Sequence, residues 1–422
     1  MLAVALAGAG CVRYAAHPID SAGSAATLSQ RHLGGGTWTL QRLTQEALQE
    51  QPSVLLARAQ YETARAAIRT AGESPNPTIA LAPQVVTPWT AWVAGTYSVD
   101  FDWTVETAGK RTRRLDVAHA GARGAAAHVI EATWKARVAV RKALLDLYAA
   151  EERAKLLTDA IARQDELLKL LENRIAAGAE SHIVVAQPRL LQVQLRLQAS
   201  DADKAAKLAR AALAEALGMG TSGLEGAKFS FASFEQVKGA GPAAHRRAAL
   251  THRADVIAAL ADYAGADATL RLEIAKQYPD IHLNPGYSFD QGENKWTLGV
   301  GLTLPILNQN RGAIGEAEAK RKEAAAKFKV VQLGVLAECD RATAAVNAAR
   351  AKLAMTDELL IGQEKILASE HRLVAAGEGD KVSLLSAQVE HATTLTVRLD
   401  ALVELQSALG ALEEATQTPL EP

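Results

Sequence analysis

Two hydrophobic periods alternate along this chain. Leu147, Ala150, Ala154, Leu157, Ile161, Gln164, Leu168, Leu171 and Ile175 follow one another at steps of three and four residues, the seam of a coiled coil. Leu191, Leu195, Gln198, Ala202, Ala205, Ala209, Ala212 and Ala216 continue the rhythm with small residues that let helix backbones approach closely, and Pro188 is placed to bend that helix early. Elsewhere the period is two. Val93, Gly95, Tyr97, Val99, Phe101 and Trp103 alternate with Ala94, Thr96, Ser98, Asp100 and Asp102; Ile281, Leu283, Pro285, Tyr287 and Phe289 alternate with His282, Asn284, Gly286, Ser288 and Asp290. Trp296, Leu298, Val300, Leu302 and Leu304 form a third such run and Ile79 to Val86 a weaker fourth. Each predicts a strand with one apolar and one wet face.

The same plan occurs twice. Ala64 to Ile79, ending Pro-Asn-Pro-Thr-Ile, matches Ala266 to Ile281, ending Gln-Tyr-Pro-Asp-Ile, with Pro77 and Pro279 in register 202 residues apart. Arg174 to Ser181 answers Arg372 to Asp380, aligning Gly178 with Gly377. Each half reads as helix, two strands, very long helix, Gly turn and medium helix. Helices are expected over 43–74, 109–177 and 180–218, and again over 246–277, 312–375 and 380–415. In each half the long helix is about as long as the two shorter ones together, close to 100 Å in the first at about 1.5 Å per residue, so the short pair can stack end to end along it. The organisation is a signal-like segment 1–11, an irregular segment 12–40, a first repeat 41–218, a linker 219–245, a second repeat 246–415 and a tail 416–422. The fold class is mainly α with a small β part.

Each strand has about the nine to eleven residues of a tilted membrane strand, and Trp89, Trp92, Trp103 and Trp296 fall near strand ends, where an aromatic girdle lies. A half-buried sheet in a soluble protein has the same alternation, but the wet faces carry Asp100, Asp102 and Asp290 and the chain offers no short helical layer to cover a sheet. Four strands do not close a membrane barrel, so the membrane reading requires several copies. A soluble coiled-coil scaffold remains the alternative.

Composition narrows the partners. Lys plus Arg (46) nearly cancels Asp plus Glu (47), leaving no basic field for nucleic acid. No phosphate loop, metal-ligand spacing of His or Cys, or nucleophile elbow is present, so neither enzyme chemistry nor a cofactor is expected. Of the two cysteines, Cys339 sits in an Ala-rich helical stretch as a small packing residue. Met1 to Gly10 is a short apolar run ending at Cys11, similar to the tail of a lipoprotein signal, which makes Cys11 the expected lipid anchor. No Lys or Arg precedes the run and Gly8 stands where Leu is usual, so a start placed too far downstream is the other reading.

Pro75-Asn76-Pro77, Gly109-Lys110-Arg111, Tyr278-Pro279-Asp280-Ile281 and Leu304-Pro305-Ile306-Leu307-Asn308-Gln309-Asn310-Arg311-Gly312, in this order, make the chain resemble the TolC-type outer-membrane efflux channels from about Leu40 to Leu409. The similarity is strongest to the branch serving heavy-metal exporters of the resistance-nodulation-division class. The resemblance implies a homotrimer with a twelve-strand barrel in the outer membrane and a helical tunnel across the periplasm, a passive conduit served by an inner-membrane pump and a periplasmic adaptor. It places Asp100, Asp102, His282 and Asp290 in the barrel lumen. It also makes the helical turns the adaptor-facing tip: Arg174, Gly178 and Ser181 in the first repeat, Arg372, Gly377 and Asp380 in the second. Where a known relative has aspartates six and nine residues past that glycine, this chain has Ser383 and Ser386, so Glu378 and Asp380 are the candidates for an acidic ring. Helix-start carboxylates favoured by the dipole are the alternative for both.

Overall fold

The computed structural model describes residues 14–84, 96–235, 242–290 and 292–419. Cys11, Trp89, Trp92 and the start of the strand expected at Val93 lie outside these residues. In chain order the elements are α1 (Ser21–Gln30), β1 (Thr37–Trp38), α2 (Leu40–Glu50), α3 (Pro52–Ala71), β2 (Thr78–Gln84), β3 (Thr96–Val105), α4 (Lys110–Ala176), α5 (Ala186–Ala216), β4 (Lys228–Phe229), α6 (Ala232–Glu235), α7 (Pro242–His252), α8 (Ala254–Ala275), β5 (Ile281–Asp290), β6 (Glu293–Leu302), α9 (Arg311–Ala375) and α10 (Lys381–Thr416). The chain is mainly α with a small β part.

The two long helices, 67 and 65 residues, are joined through the shorter helices packed along them. α3 and α5 lie along α4, and α8 and α10 along α9, with α8 and α10 also packing on α4. The expected coiled-coil seam is the buried stripe of α4: Leu147, Ala150, Leu157, Gln164, Leu168 and Leu171 are all buried. Along α5 the seam is only half covered. Leu195, Ala202, Ala209 and Ala216 are buried, but Gln198, Ala205 and Ala212 line an open groove between α4, α5 and α10.

Three expectations change. The helix expected over 43–74 breaks at Gln51, which is extended (φ −69°, ψ 124°), because Pro52 has no N–H to continue the first turn and instead opens α3. The helix over 246–277 breaks the same way at Arg253, also extended. Pro188, expected to bend α5, falls in its first turn after a 3₁₀ turn at His182–Val185, where its missing N–H has no intrahelical partner to lose.

The segments expected to be irregular meet each other. Trp38 pairs in parallel with Phe229 from the linker, the Leu33 N–H bonds the Gly223 carbonyl at 2.9 Å, and Arg31 reaches the Leu217 carbonyl at 2.9 Å. They form a belt around the middle of the bundle, over a core of Leu43, Leu144, Leu147, Leu213, Leu405 and Phe234. Arg253, buried at the break between α7 and α8, holds Glu338 (2.8 Å) and the Ala415 carbonyl (2.8 Å) and so ties α9 to the end of α10. Burial would lower its pKa, but Asp255 and Glu338 outweigh that and keep it charged. Cys339 is buried beside it, donating to the same carbonyl at 3.3 Å; burial pushes the thiol pKa up and leaves it a packing residue.

Candidate functional site

The sheet, the junction below it and the far turns of the bundle each gather residues singled out in the sequence. The sheet is antiparallel throughout, in the order β2-β3-β5-β6, so the two hairpins join through β3 and β5, one strand from each repeat. Its register puts like with like. Ile79 faces Phe101, Leu81 faces Val99, Tyr97 faces Phe289, Leu283 faces Val300 and Tyr287 faces Trp296, giving one continuous apolar face. That face is open: Leu81 is 72 %, Trp296 81 % and Leu298 76 % exposed, and among the described residues no helix is laid across it. Aromatic rings mark both ends, with Tyr287 against Trp296 (centroids 4.9 Å apart) far from the helices and Trp103 near them.

Asp100, Asp102, His282 and Asp290 all lie on the opposite face. His282 Nδ1 is 3.3 Å from Asp102 and 3.2 Å from the Thr104 hydroxyl. Asp290 accepts from Thr96 at 3.0 Å and from Lys295 at 2.9 Å, and Ser98 donates to Asp100 at 3.3 Å. Among the described residues the outer strands β2 and β6 are unpaired edges.

Below the sheet, two of the sequence motifs meet. Lys110, 7 % exposed, donates to Asp280 and to the Tyr278 carbonyl, each at 2.7 Å, while the Thr107 N–H reaches Asp280 at 2.9 Å and its hydroxyl the Pro279 carbonyl at 2.6 Å. Burial would raise the Asp280 pKa, but the bonds from Lys110 and Thr107 and the Lys110 charge more than offset it, so the carboxyl sits below its ordinary range. Arg114 pairs with Glu106 and ties the end of α3 through the Glu73 carbonyl at 2.9 Å. Each long helix is entered through two consecutive left-handed residues, Ala108 and Gly109 (φ 54° and 69°) and Gln309 and Asn310 (φ 50° and 53°). A side chain in that conformation costs roughly 1–2 kcal/mol; Asn310 offsets it by donating to the Glu273 carbonyl at 2.8 Å. The motifs were visible in the sequence, but nothing in it said that Lys110 would find Asp280.

At the far end both turns have one design. Gly178 (φ 75°) and Gly377 (φ 76°) end the long helices, and Ser181 and Asp380 cap the returns, accepting from the N–H groups of Ile183 and Val382. The two glycines and the two caps are each 199 residues apart. This register, the one in which Gly178 aligns with Gly377, sets Arg372 opposite Asn173, because both carbonyls accept the N–H closing their helix, and Arg174 opposite Leu373. Arg174 does something its counterpart Leu373 cannot. Its guanidinium grips Asp380 with both ends, one bond at 2.9 Å, joining the turn of one repeat to that of the other. Hydrogen bonds from Arg174, then from the Val382 N–H, hold the Asp380 carboxyl below its ordinary value of 3.8. Glu378 and Arg372 stand exposed.

This pair yields a prediction with a definite sign. A depressed carboxylate pKa stabilises above the ordinary value and is lost as pH falls through the folded one, so the link between the turns should persist at neutral pH and loosen only below about 4. Asp380→Asn keeps a capping side chain but removes the charge. Spin labels at Glu180→Cys and Lys381→Cys should then report a broader distance distribution at neutral pH, as should the unsubstituted pair in about 1 M salt, where the screening length falls to about 3 Å. An unchanged distribution in both would show that packing alone holds the turns together.

Among the described residues no helix is long and apolar enough to cross a membrane, and no three His, Cys, Asp or Glu side chains are grouped to hold a metal ion.

The sequence profile of the outer membrane efflux protein family matches residues 43–219 and 246–417. The cobalt-zinc-cadmium resistance protein CzcC of Cupriavidus metallidurans is 23 % identical over 294 residues, covering 67 % of this chain and 68 % of its own length. The pyoverdine export outer membrane protein OpmQ of Pseudomonas aeruginosa is 26 % identical over 290 residues, 64 % of this chain and 60 % of its own. Among solved structures, the outer membrane protein VceC of Vibrio cholerae superposes with a TM-score of 0.72 at 22 % identity, over 90 % of this chain and 97 % of that one.

Proposed function

The chain belongs to the outer membrane efflux protein family, and from that premise we propose that three copies close the four-stranded sheet into a twelve-strand barrel continued by a tunnel of helices. The observation that carries this reading is the two-faced sheet: apolar and open on one side, carboxylate-bearing on the other, with an unpaired strand at each edge. In lipid an unpaired edge costs several kcal/mol for each unsatisfied group, so the edges must meet, and copies related by rotation are the economical way. The apolar face then meets lipid and the polar face lines a lumen. A soluble scaffold has no use for such a face.

The chain is an outer-membrane channel of tripartite efflux, and the conduit is passive, its energy coming from an inner-membrane pump. The adaptor meets the far turns, at Arg174, Gly178, Ser181, Arg372, Gly377 and Asp380. Of the two candidate ring carboxylates, Asp380 is engaged by Arg174 and by its helix cap, which favours Glu378 as the charge presented to solute. Asp100, Asp102, Asp290 and Glu293 outnumber Lys295 on the lumen face, which suits a cationic cargo, and CzcC is named for resistance to cobalt, zinc and cadmium. Cys11 is assigned the lipid anchor beside the barrel.

The test is the mass of the detergent-solubilised assembly together with current across a planar bilayer. A trimer passing discrete, cation-selective currents supports both conduit and cargo class. Anion selectivity would remove the cargo class but keep the conduit, and a monomer without conductance would overturn the reading.

A further inference from the structure

The internal repeat specifies how one copy meets the next. An offset of 202 carries β2 onto β5, aligning Ile79 with Ile281, Leu81 with Leu283 and Pro83 with Pro285. An offset of 201 carries β3 onto β6 and the left-handed Ala108-Gly109 onto Gln309-Asn310. The two hairpins verify the alignment. In the first, Ile79 faces Phe101; the offsets turn that pair into Ile281 and Leu302, which do face each other in the second.

The chain also contains one contact between repeats, β3 with β5, in which Trp103 faces Leu283 and Val105 faces Ile281. If copies follow one another around the barrel as the repeats do within the chain, this contact has a counterpart between chains. We propose that β6 of one copy pairs antiparallel with β2 of the next, Leu302 facing Pro83, Thr303 facing Ala82, Leu304 facing Leu81 and Ile306 facing Ile79. The proposal rests on the trimeric channel reading and adds its register.

Three features support it. The transferred register sets apolar against apolar at every such position, and a slip of one residue would turn the apolar set of one strand to the lumen. It also accounts for apolar side chains left open along the outer edges: Leu302, Leu304 and Ile306 are 51 %, 62 % and 72 % exposed, and Ile79 and Leu81 opposite them are 66 % and 72 %. Finally, β3 is strand as far as Val105 although β2 pairs with it only to Asp102, so β5 alone holds its last three residues extended. The equivalent end of β6 stops at Leu302 and turns tightly, the Ile306 N–H bonding the Leu304 carbonyl at 2.9 Å. The neighbouring β2 draws it into the sheet. Pro305 gives no N–H, so the new ladder is interrupted there, as the β3–β5 ladder is interrupted beside Pro285.

The junction contacts transfer as well. Lys110 and Thr107 hold the Tyr278 and Pro279 carbonyls within the chain. Their counterparts Arg311 and Asn308 reach the carbonyls of Asn76 and Pro77 in the next copy.

Thr303→Cys with Ala82→Cys tests the register, since both side chains project to the lumen face and β2 and β6 are opposite edges within one chain, where they cannot link. Oxidation of the intact detergent-solubilised protein should give dimers and closed trimers on a denaturing gel, and neither single variant should. Thr303→Cys with Ala80→Cys or with Gln84→Cys, displaced by two residues or about 7 Å along the strand, should link at least about ten times more slowly. Faster linking in a displaced pair overturns the register. No linking in any pair, with a trimeric mass, overturns the β6–β2 contact and leaves the trimer standing; a monomeric mass removes both.

Discussion

Val99→Arg is expected to deplete the folded, membrane-inserted protein, whereas Ser98→Arg, one residue away, leaves it near normal. Val99 lies on the apolar face of β3, between Leu81 and Tyr287. Arginine on a lipid-facing position near the bilayer midplane costs about 2–4 kcal/mol per copy, and a closed assembly carries that cost in every subunit. Ser98 is on the face with Asp100, where arginine would have water and a carboxylate. The measurement is the amount of heat-modifiable oligomer in outer-membrane fractions, with conductance recorded for Ser98→Arg. A matching loss in both variants would mean that neither face is lipid-exposed. Loss for Ser98→Arg alone would mean the faces are assigned the wrong way round.

Phe234→Ala should be the most damaging single truncation in the helical part. The ring is fully buried, stands 6.0 Å from Tyr148 and carries Arg141 over its face at 5.5 Å, while its carbonyl accepts from Gln406 at 3.0 Å. It is the linker's anchor into α4 and α10. A large buried side chain cut to alanine costs about 3–5 kcal/mol. Here the cavity would open against Arg141, whose neighbours Glu413 and Gln406 are themselves buried. The expected result is a lower thermal midpoint and faster proteolysis of the linker, with the barrel still inserted because no residue of the four-stranded sheet belongs to this core. Phe234→Leu, which keeps most of the volume, should recover most of the loss. A truncation without effect would show that the belt is held by Trp38 and Leu43.

The hydrophobic periods carried the elements nearly to their ends. Seam positions from Leu147 to Leu171 are buried except Ala154 and Ile161, which are half-buried, the strand alternation became the two faces of the sheet, and both glycine turns sit at positive φ. The helix breaks at Gln51 and Arg253 were not foreseen. Pro52 was the available signal for the first, since proline at the first helical position marks a start as often as a kink. Arg253 leaves no local mark, because its extended backbone is stabilised by Glu338 and Ala415, which lie far along the chain.

The sequence alone determined the fold class, the duplication, which residues share a face of each strand, and where the two glycine turns lie. All of these are written in short-range order, in steps of two, three or four residues and in glycines that must take positive φ. Only the tertiary structure decided that the hairpins join through β3 and β5, that Lys110 meets Asp280 and Arg174 meets Asp380, and that the two irregular segments pair as a belt. Those partners lie 170, 206 and about 191 residues apart. Polar or irregular segments carry no periodicity to name a distant partner, so their contacts are set by which surfaces the long helices bring together.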